Sequence, residues 1–257
     1  MAMAFVITAT LTAQATDRYW ANTGTDFNDG GSWIAGTAPS TNDRAYFAAT
    51  PTMQPYVSAS KTVYGLFFTP LLGTNVSGAS SAYGGYVSNG APGATLTLTA
   101  SGYNNSSYYM LEQCTTGTNI ISVGMTFLDD GTQRSRQINV ASGGLELSGP
   151  LVSGTNNILR FAGSATNSVV TLSGNNSGFT GGFTKVGAFS LYLKSTNAIS
   201  KISRLEFSIH TGAALGNNKL VNQTGGPLVF ENNPAIFLNG GDGIILESDY
   251  IIDFGTN

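Results

Sequence analysis

The sequence predicts an all-β protein built in large part as a parallel β-helix, or β-solenoid, and three observations indicate this class. Strong helix formers give way to Thr, Val, Ile, Phe, Tyr, Gly, Asn and Ser, which disfavours long helices. Charged residues make up only 10% of the chain, whereas glycine occupies 33 positions, so the surface is polar but nearly neutral. After about Gln137, short apolar runs alternate regularly with Gly and Asn turns.

These short runs are the predicted solenoid strands. Gly and Asn at the corners tolerate positive φ, and inward aliphatic side chains then stack on the next coil. The predicted strands are Ile138–Val140, Leu145–Leu147, Ile158–Phe161, Val169–Leu172, Phe189–Leu193, Leu205–Ile209, Leu228–Phe230 and Ile236–Leu238. An antiparallel β-sandwich is the alternative, because it also uses short strands at regular spacing.

The chain divides into three predicted segments: a signal peptide over residues 1–15, an irregular N-terminal β region or cap over 16–136, and solenoid repeats over 137–257. In the N-terminal region, Arg44–Phe47 and Thr62–Phe68 alternate as strands do, and the second is apolar enough to be buried on both faces. Residues 73–93 combine small polar residues with two tyrosines and indicate a long loop or a frayed coil.

The first residues indicate export. Met1–Ala15 is a short apolar stretch that closes on Ala13-Gln14-Ala15, the small-x-small form read by signal peptidase. No Lys or Arg precedes Arg18, so we expect the true start to lie upstream; a buried N-terminal strand is the alternative. No window approaches the ~18 apolar residues of a membrane helix. We therefore expect a secreted or cell-surface protein with no membrane span in this segment.

The charge and cysteine content exclude several partners and cofactors. The net charge is -3, and the 11 Lys and Arg residues form no basic stripe, so nucleic acid is a poor candidate partner. Cys114 is the only cysteine, which rules out an internal disulfide and a cysteine zinc site. We expect Cys114 to be buried in a strand, where it behaves as a small hydrophobe, rather than available for an intermolecular bond.

The second half resembles the autotransporter-associated β-strand repeat of exported bacterial passenger proteins. The matching residues are Thr171-Leu172-Ser173-Gly174-Asn175-Asn176, Gly178, Thr180-Gly181-Gly182, Thr184, Gly187, Leu191-Tyr192-Leu193 and Asn197-Ala198, preceded by Gly143 to Gly149. Trp20, Trp33, Pro39, Asp43, Ala45 and Phe47 resemble the tryptophan-rich opening of the same proteins. The resemblance implies a parallel β-helix at the bacterial surface, extracellular or associated with the outer membrane, and a chain that is a fragment of a longer protein. Phe183 and Phe189 depart from the repeat's paired aliphatic residues.

One cluster of charged residues is a candidate for catalysis. Asp129 and Asp130, followed by Arg134 and Arg136, resemble the paired carboxylates and arginine of sugar-cleaving β-helix enzymes. The same residues, with Gly131, also form a good turn sequence. We favour the turn and predict no catalytic residue.

Other candidate site residues have structural interpretations that we prefer. His210 is the only histidine and lies in a predicted strand. Asp242, Glu247, Asp249 and Asp253 carry oxygen ligands without a calcium-site spacing, so we predict no metal and no cofactor. Gly181-Gly182 and Gly240-Gly241-Asp242-Gly243 lack the context of a phosphate loop. The tyrosines of the loop-rich region could contact a sugar if they are exposed: Tyr83, Tyr86, Tyr103, Tyr108 and Tyr109. For Tyr83 and Tyr86 we prefer the interpretation that they anchor their own loop.

Together these features predict a non-catalytic structural or adhesive surface module. Its expected partners are further copies of itself, in fibres for example, or a surface glycan or extracellular matrix. The alternatives are a polysaccharide-degrading β-helix enzyme and a carbohydrate-binding module.

Overall fold

The chain is a parallel β-solenoid with three faces. The computed structural model describes residues 16–69, 83–100, 109–163, 165, 167–208, 219–226, 228–230, 235–239, 245–247 and 252–253. Every pairing between named strands in these ranges is parallel. The antiparallel sandwich considered as the alternative is therefore wrong. No helix in the described part of the chain has both the length and the apolar character of a transmembrane span.

The strands form two long sheets and two short ones. Sheet A contains β1 Asp17–Tyr19, β2 Arg44–Phe47, β5 Gly65–Phe68, β8 Leu111–Gln113, β11 Arg134–Val140, β14 Asn157–Gly163, β16 Gly182–Gly187, β18 Arg204–Ser208 and β21 Ala235–Asn239. Sheet B contains β3 Tyr56–Val57, β6 Val87–Gly90, β9 Thr118–Ile121, β12 Gly144–Leu147, β15 Val169–Leu172, β17 Ser190–Leu193, β19 Lys219–Asn222 and β22 Ile245–Glu247. Sheet C contains β4 Lys61–Val63, β7 Thr95–Leu98, β10 Gly124–Phe127 and β13 Leu151–Val152, and sheet D pairs β20 Leu228–Val229 with β23 Ile252–Asp253.

Each full coil passes through sheets A, B and C in turn. The order repeats in β5–β6–β7, β8–β9–β10 and β11–β12–β13. Beyond β13, a parallel bridge between Ser153 and Phe179 extends the third face by one coil. With strands about 4.8 Å apart, the nine strands of sheet A span about 38 Å.

The interior is one continuous apolar column in which equivalent residues of successive coils stack in register. Ile138 pairs with Leu111 on one side and Phe161 on the other, and all three are fully buried. The rings of Phe47 and Phe68, another register pair, stack with centroids 5.0 Å apart. Since parallel pairing keeps the same side chains over one another, each coil covers the apolar face of the next.

Glycine and asparagine have different structural roles in the coils. Gly187 has φ +102, and a Cβ there would lie 1.9 Å from the carbonyl oxygen of Gly163, so only glycine fits. Among the described asparagines only Asn22 has positive φ, so the expectation that Asn supplies left-handed corners is largely wrong. Buried asparagines link coils instead: Asn119 Oδ1 accepts from Tyr86 N at 2.9 Å, and Asn176 Oδ1 accepts from Leu151 N at 2.9 Å.

The N-terminal region belongs to the same solenoid. Trp20 and Trp33 pack edge to face at 5.2 Å, and both rings contact Phe47 at the start of the apolar column. Sheet A then continues without a break, and the division expected between residues 136 and 137 falls inside β11. The predicted signal peptide, residues 1–15, lies outside the described residues.

The predicted strand Thr62–Phe68 is two strands in the structure. Tyr64 forms the corner between β4 of sheet C and β5 of sheet A. All four residues of β5 are buried, which confirms the expectation of burial on both faces. Within residues 73–93, β6 pairs with β3 and β9, so this part is a coil of the solenoid as well.

Candidate functional site

A groove runs along the outer face of sheet A and is the candidate site. Its cavity has a volume of about 370 Å³. Four successive strands, β11, β14, β16 and β18, contribute to it. The described residues that line it are Gln133, Ser135, Ile158, Arg160, Thr184, Val186 and Glu206.

The parallel register places the polar residues of the groove in one row. Arg160 pairs with Thr184, and Thr184 pairs with Glu206, so the three side chains lie on adjacent strands. They point outward because their neighbours in sequence, including Leu159 and Phe183, are fully buried in the column. Two strand spacings, about 10 Å, separate Arg160 from Glu206 along this row.

Hydrogen bonds fix the carboxylate end of the groove. Glu206 Oε2 accepts from Arg204 Nη2 at 2.7 Å and from Thr184 Oγ1 at 3.3 Å. Arg160 and Thr184 are buried and form the base, whereas Gln133 is exposed and Ser135 is half-buried at the rim. The groove therefore presents a guanidinium, a carboxylate, hydroxyls and an amide, with Ile158 and Val186 as its apolar surfaces.

A second polar cluster on the same outer face surrounds Glu112. Burial raises the pKa of Glu112, while Asn139 Nδ2 donates to its carboxylate at 3.3 Å and opposes that shift. Cys114 follows β8 and is fully buried, which confirms its expected burial but places it just after a strand. Burial, followed by the nearby Glu112 carboxylate, raises the pKa of the Cys114 thiol. The thiol is thereby held in its unreactive protonated form.

The charged cluster proposed for catalysis is divided between the surface and the interior. Asp130 pairs with Arg134 at 2.8 Å, and this hydrogen bond lowers the pKa of Asp130. Asp129 and Asp130 also accept from the backbone N–H groups of Gly131 and Thr132, as a turn requires. These contacts agree with the turn interpretation.

Arg136 points away from both aspartates into the solenoid. Its Nη1 donates to Ala100 O at 2.7 Å and its Nε donates to Asn157 Oδ1 at 2.8 Å, while Nη2 donates to Leu128 O. The guanidinium thus ties three coils together. Sequence reasoning missed this inward position, because an arginine in a strand is ordinarily expected at the surface.

Two of the loop tyrosines considered for sugar contact, Tyr83 and Tyr86, have the anchoring role that was the preferred interpretation for them. Tyr83 and Tyr86 are both buried, and their hydroxyls donate to the carbonyl oxygens of Phe47 and Ala49. The suggestion that these two rings contact a sugar is therefore wrong: they anchor the coil. Burial raises the pKa of Tyr86 to about 12. Tyr109 is half-buried, and Tyr103 and Tyr108 lie outside the described residues.

The remaining candidates give no site within the described ranges. His210, Asp242, Asp249 and the run 240–243 lie outside them, as do the side chains of Glu247 and Asp253. Among the described residues, no group of three His, Cys, Asp or Glu side chains is placed to hold a metal ion. Gly181 and Gly182 serve close packing: a Cβ on Gly181 would lie 2.0 Å from Asn157 O.

The groove residues were not singled out in the sequence. Arg160, Thr184 and Glu206 follow one another at the coil repeat, which only the register reveals. No protein-family model, curated protein or solved structure matches the chain.

Proposed function

We propose that this chain is a structural or adhesive module of an exported protein and that it does not act as an enzyme. The observation that carries the proposal is the uninterrupted in-register stack of sheet A from β1 to β21. Such a stack is a rigid scaffold that presents long, regular outer faces, and these are suited to contact with an extended partner.

The composition of the outer faces supports a surface role. On sheet C the hydroxyls of Thr97 and Thr126 are 2.6 Å apart on neighbouring coils. Those of Ser122 and Ser148, which directly follow β9 and β12 of sheet B, are 2.9 Å apart. Small hydroxyl side chains on neighbouring coils thus form hydrogen bonds with one another along the exterior. This agrees with a surface that is polar but nearly neutral, since charged residues are only 10% of the chain. The Ala13-Gln14-Ala15 sequence and the resemblance to passenger repeats point to the same compartment.

The enzyme alternative rested on the Asp129, Asp130, Arg134 and Arg136 cluster. Asp130 is engaged with Arg134 and with turn N–H groups, and Arg136 holds backbone carbonyls inside the solenoid. A carboxylate pair acting on a sugar would need both acids to face one cleft together with the arginine. The contacts of Arg136 favour a structural role for it.

Three observations test the proposal together. Antibodies raised against the purified chain should label intact cells of the source organism, and electron microscopy should show whether the chains join end to end. Incubation with plant, algal and mucin polysaccharides should release no new reducing ends. Labelling only after permeabilisation, or turnover abolished by Asp130→Ala, would overturn it.

A further inference from the structure

We propose that the outer groove of sheet A is a carbohydrate-binding site, with Arg160, Thr184 and Glu206 along its base and Gln133 and Ser135 at its rim. The inference deepens the proposed adhesive function and rests on it. The ligand class is a short, hydroxyl-rich segment of a polysaccharide.

The shape of the groove suits a linear polymer. It crosses four strands on one face of a parallel sheet, so its length is about three strand spacings, or roughly 14 Å. Both edges of β11, β14, β16 and β18 are already paired within sheet A. A peptide therefore has no strand edge to extend there, and the ligand must be recognised by side chains.

The chemistry of the lining suits sugar hydroxyls. A hydroxyl both donates and accepts, and the groove offers donors on Arg160 and acceptors on Glu206 within the same row. Both groups form charge-assisted hydrogen bonds, which are stronger than neutral ones. Arg204 and Thr184 hold the Glu206 carboxylate in position before any ligand arrives. Ile158 and Val186 supply apolar surface for the C–H groups of a sugar ring.

Nucleic acid fits these features less well. The chain carries a net charge of -3, and the groove places the Glu206 carboxylate within its lining, where a phosphate backbone would be repelled. A neutral saccharide avoids that repulsion, and a uronic-acid saccharide avoids it only when its carboxylate lies beside Arg160 rather than beside Glu206. Neutral and uronic-acid oligosaccharides share the hydroxyl chemistry, so binding measurements must separate them.

The test uses binding to two sets of probes: neutral cello-, laminari- and xylo-oligosaccharides, and acidic oligogalacturonates. Thr184→Val removes a hydroxyl from the base at constant size, and Ser135→Trp fills the groove from its rim. Thr126→Val and Ser122→Trp are the matched controls, because they make the same changes away from the groove: Thr126 lies in β10 of sheet C, and Ser122 directly follows β9 of sheet B. Thermal melting of each variant confirms that it folds.

At least one probe should bind the unaltered chain with a Kd of about 1 mM. Thr184→Val should weaken that binding about 10-fold and Ser135→Trp should abolish it, while both controls bind normally. A preference for oligogalacturonate that is lost in Arg160→Gln would identify the acidic class; equal binding of xylo-oligosaccharide would identify the neutral class.

The site is refuted if neither set of probes binds, or if the groove variants and their controls lose binding equally. If antibodies label the cell surface but no probe binds the chain, the carbohydrate site is refuted and the proposed structural function is not. Probes that bind in the groove and are cleaved there would support the site and overturn the non-catalytic function.

Discussion

Lys185 lies inside the apolar column of a solenoid whose other inward residues are mostly hydrophobic. In the register of sheet A it stands between Phe161 and Phe207, and only 2% of its surface is exposed. Its Nζ donates to Gly187 O at 2.9 Å and lies 4.2 Å from the centre of the Phe189 ring. Replacing Lys185 by Met keeps an unbranched side chain of similar length and removes the amine.

Burial lowers the pKa of Lys185 from 10.5 to about 7. Since one pKa unit corresponds to about 1.4 kcal/mol, the buried charge costs up to roughly 5 kcal/mol. Between pH 7 and pH 10.5 the folded state binds fewer protons than the unfolded state, so the free energy of unfolding rises with pH across that window. Below pH 7 Lys185 is protonated in both states, and the full cost of burying its charge applies. The hydrogen bond to Gly187 O and the contact with the Phe189 ring offset about 2 kcal/mol of this cost.

We therefore expect Lys185→Met to raise the free energy of unfolding by about 3 kcal/mol at pH 7, with the gain vanishing near pH 9. Urea unfolding from pH 6 to pH 9, followed by the fluorescence of the buried Trp20 and Trp33, measures this directly. The exposed Lys194→Met is the control and should change little at any pH. A variant that is less stable than the unaltered chain, by the same amount at every pH, would refute the reasoning.

Three further predictions concern other buried groups. Arg136→Met should destabilise the chain by about 3 to 5 kcal/mol, because it leaves the carbonyl oxygens of Ala100 and Leu128 and the amide oxygen of Asn157 without their donor. The surface substitution Arg134→Met should have little effect in the same urea titration. Gly187→Ala should lower the thermal midpoint far more than Gly131→Ala: both glycines have positive φ, but only at Gly187 would a Cβ meet a backbone oxygen. Cys114 should react with a thiol reagent only after denaturation, and rapid labelling of the native chain would contradict its burial.

The strands of the solenoid could be predicted because each is a compact apolar run between turn residues. The runs beginning at Ile138, Leu145, Ile158 and Val169 all lie in strands of the structure. Strand β16 was not predicted, because it begins at Gly182 and ends at Gly187, and because Lys185 interrupts its apolar residues. Its strand character comes from pairing with β14 and β18, which are distant in sequence.

The site depended on long-range register and could not be predicted. Coil lengths vary, so the relation of Arg160 to Thr184 and Glu206 has no fixed spacing that a sequence pattern reveals. Nothing in the sequence indicated that Arg136 and Lys185 are buried, because ionisable groups ordinarily lie at the surface. Both lie inside, where Arg136 meets backbone carbonyls left at the coil corners and Lys185 meets Gly187 O.

Paired cysteine substitutions test the parallel, in-register stack most directly. In a Cys114→Ala background, Thr97→Cys with Thr126→Cys should join readily through a short thiol cross-linker, because neighbouring strands lie about 4.8 Å apart. Parallel pairing requires that Thr95→Cys with Gly124→Cys also joins, and that Thr95→Cys with Leu128→Cys does not. An efficient Thr95–Leu128 link with no Thr95–Gly124 link would mean antiparallel pairing and would contradict the solenoid.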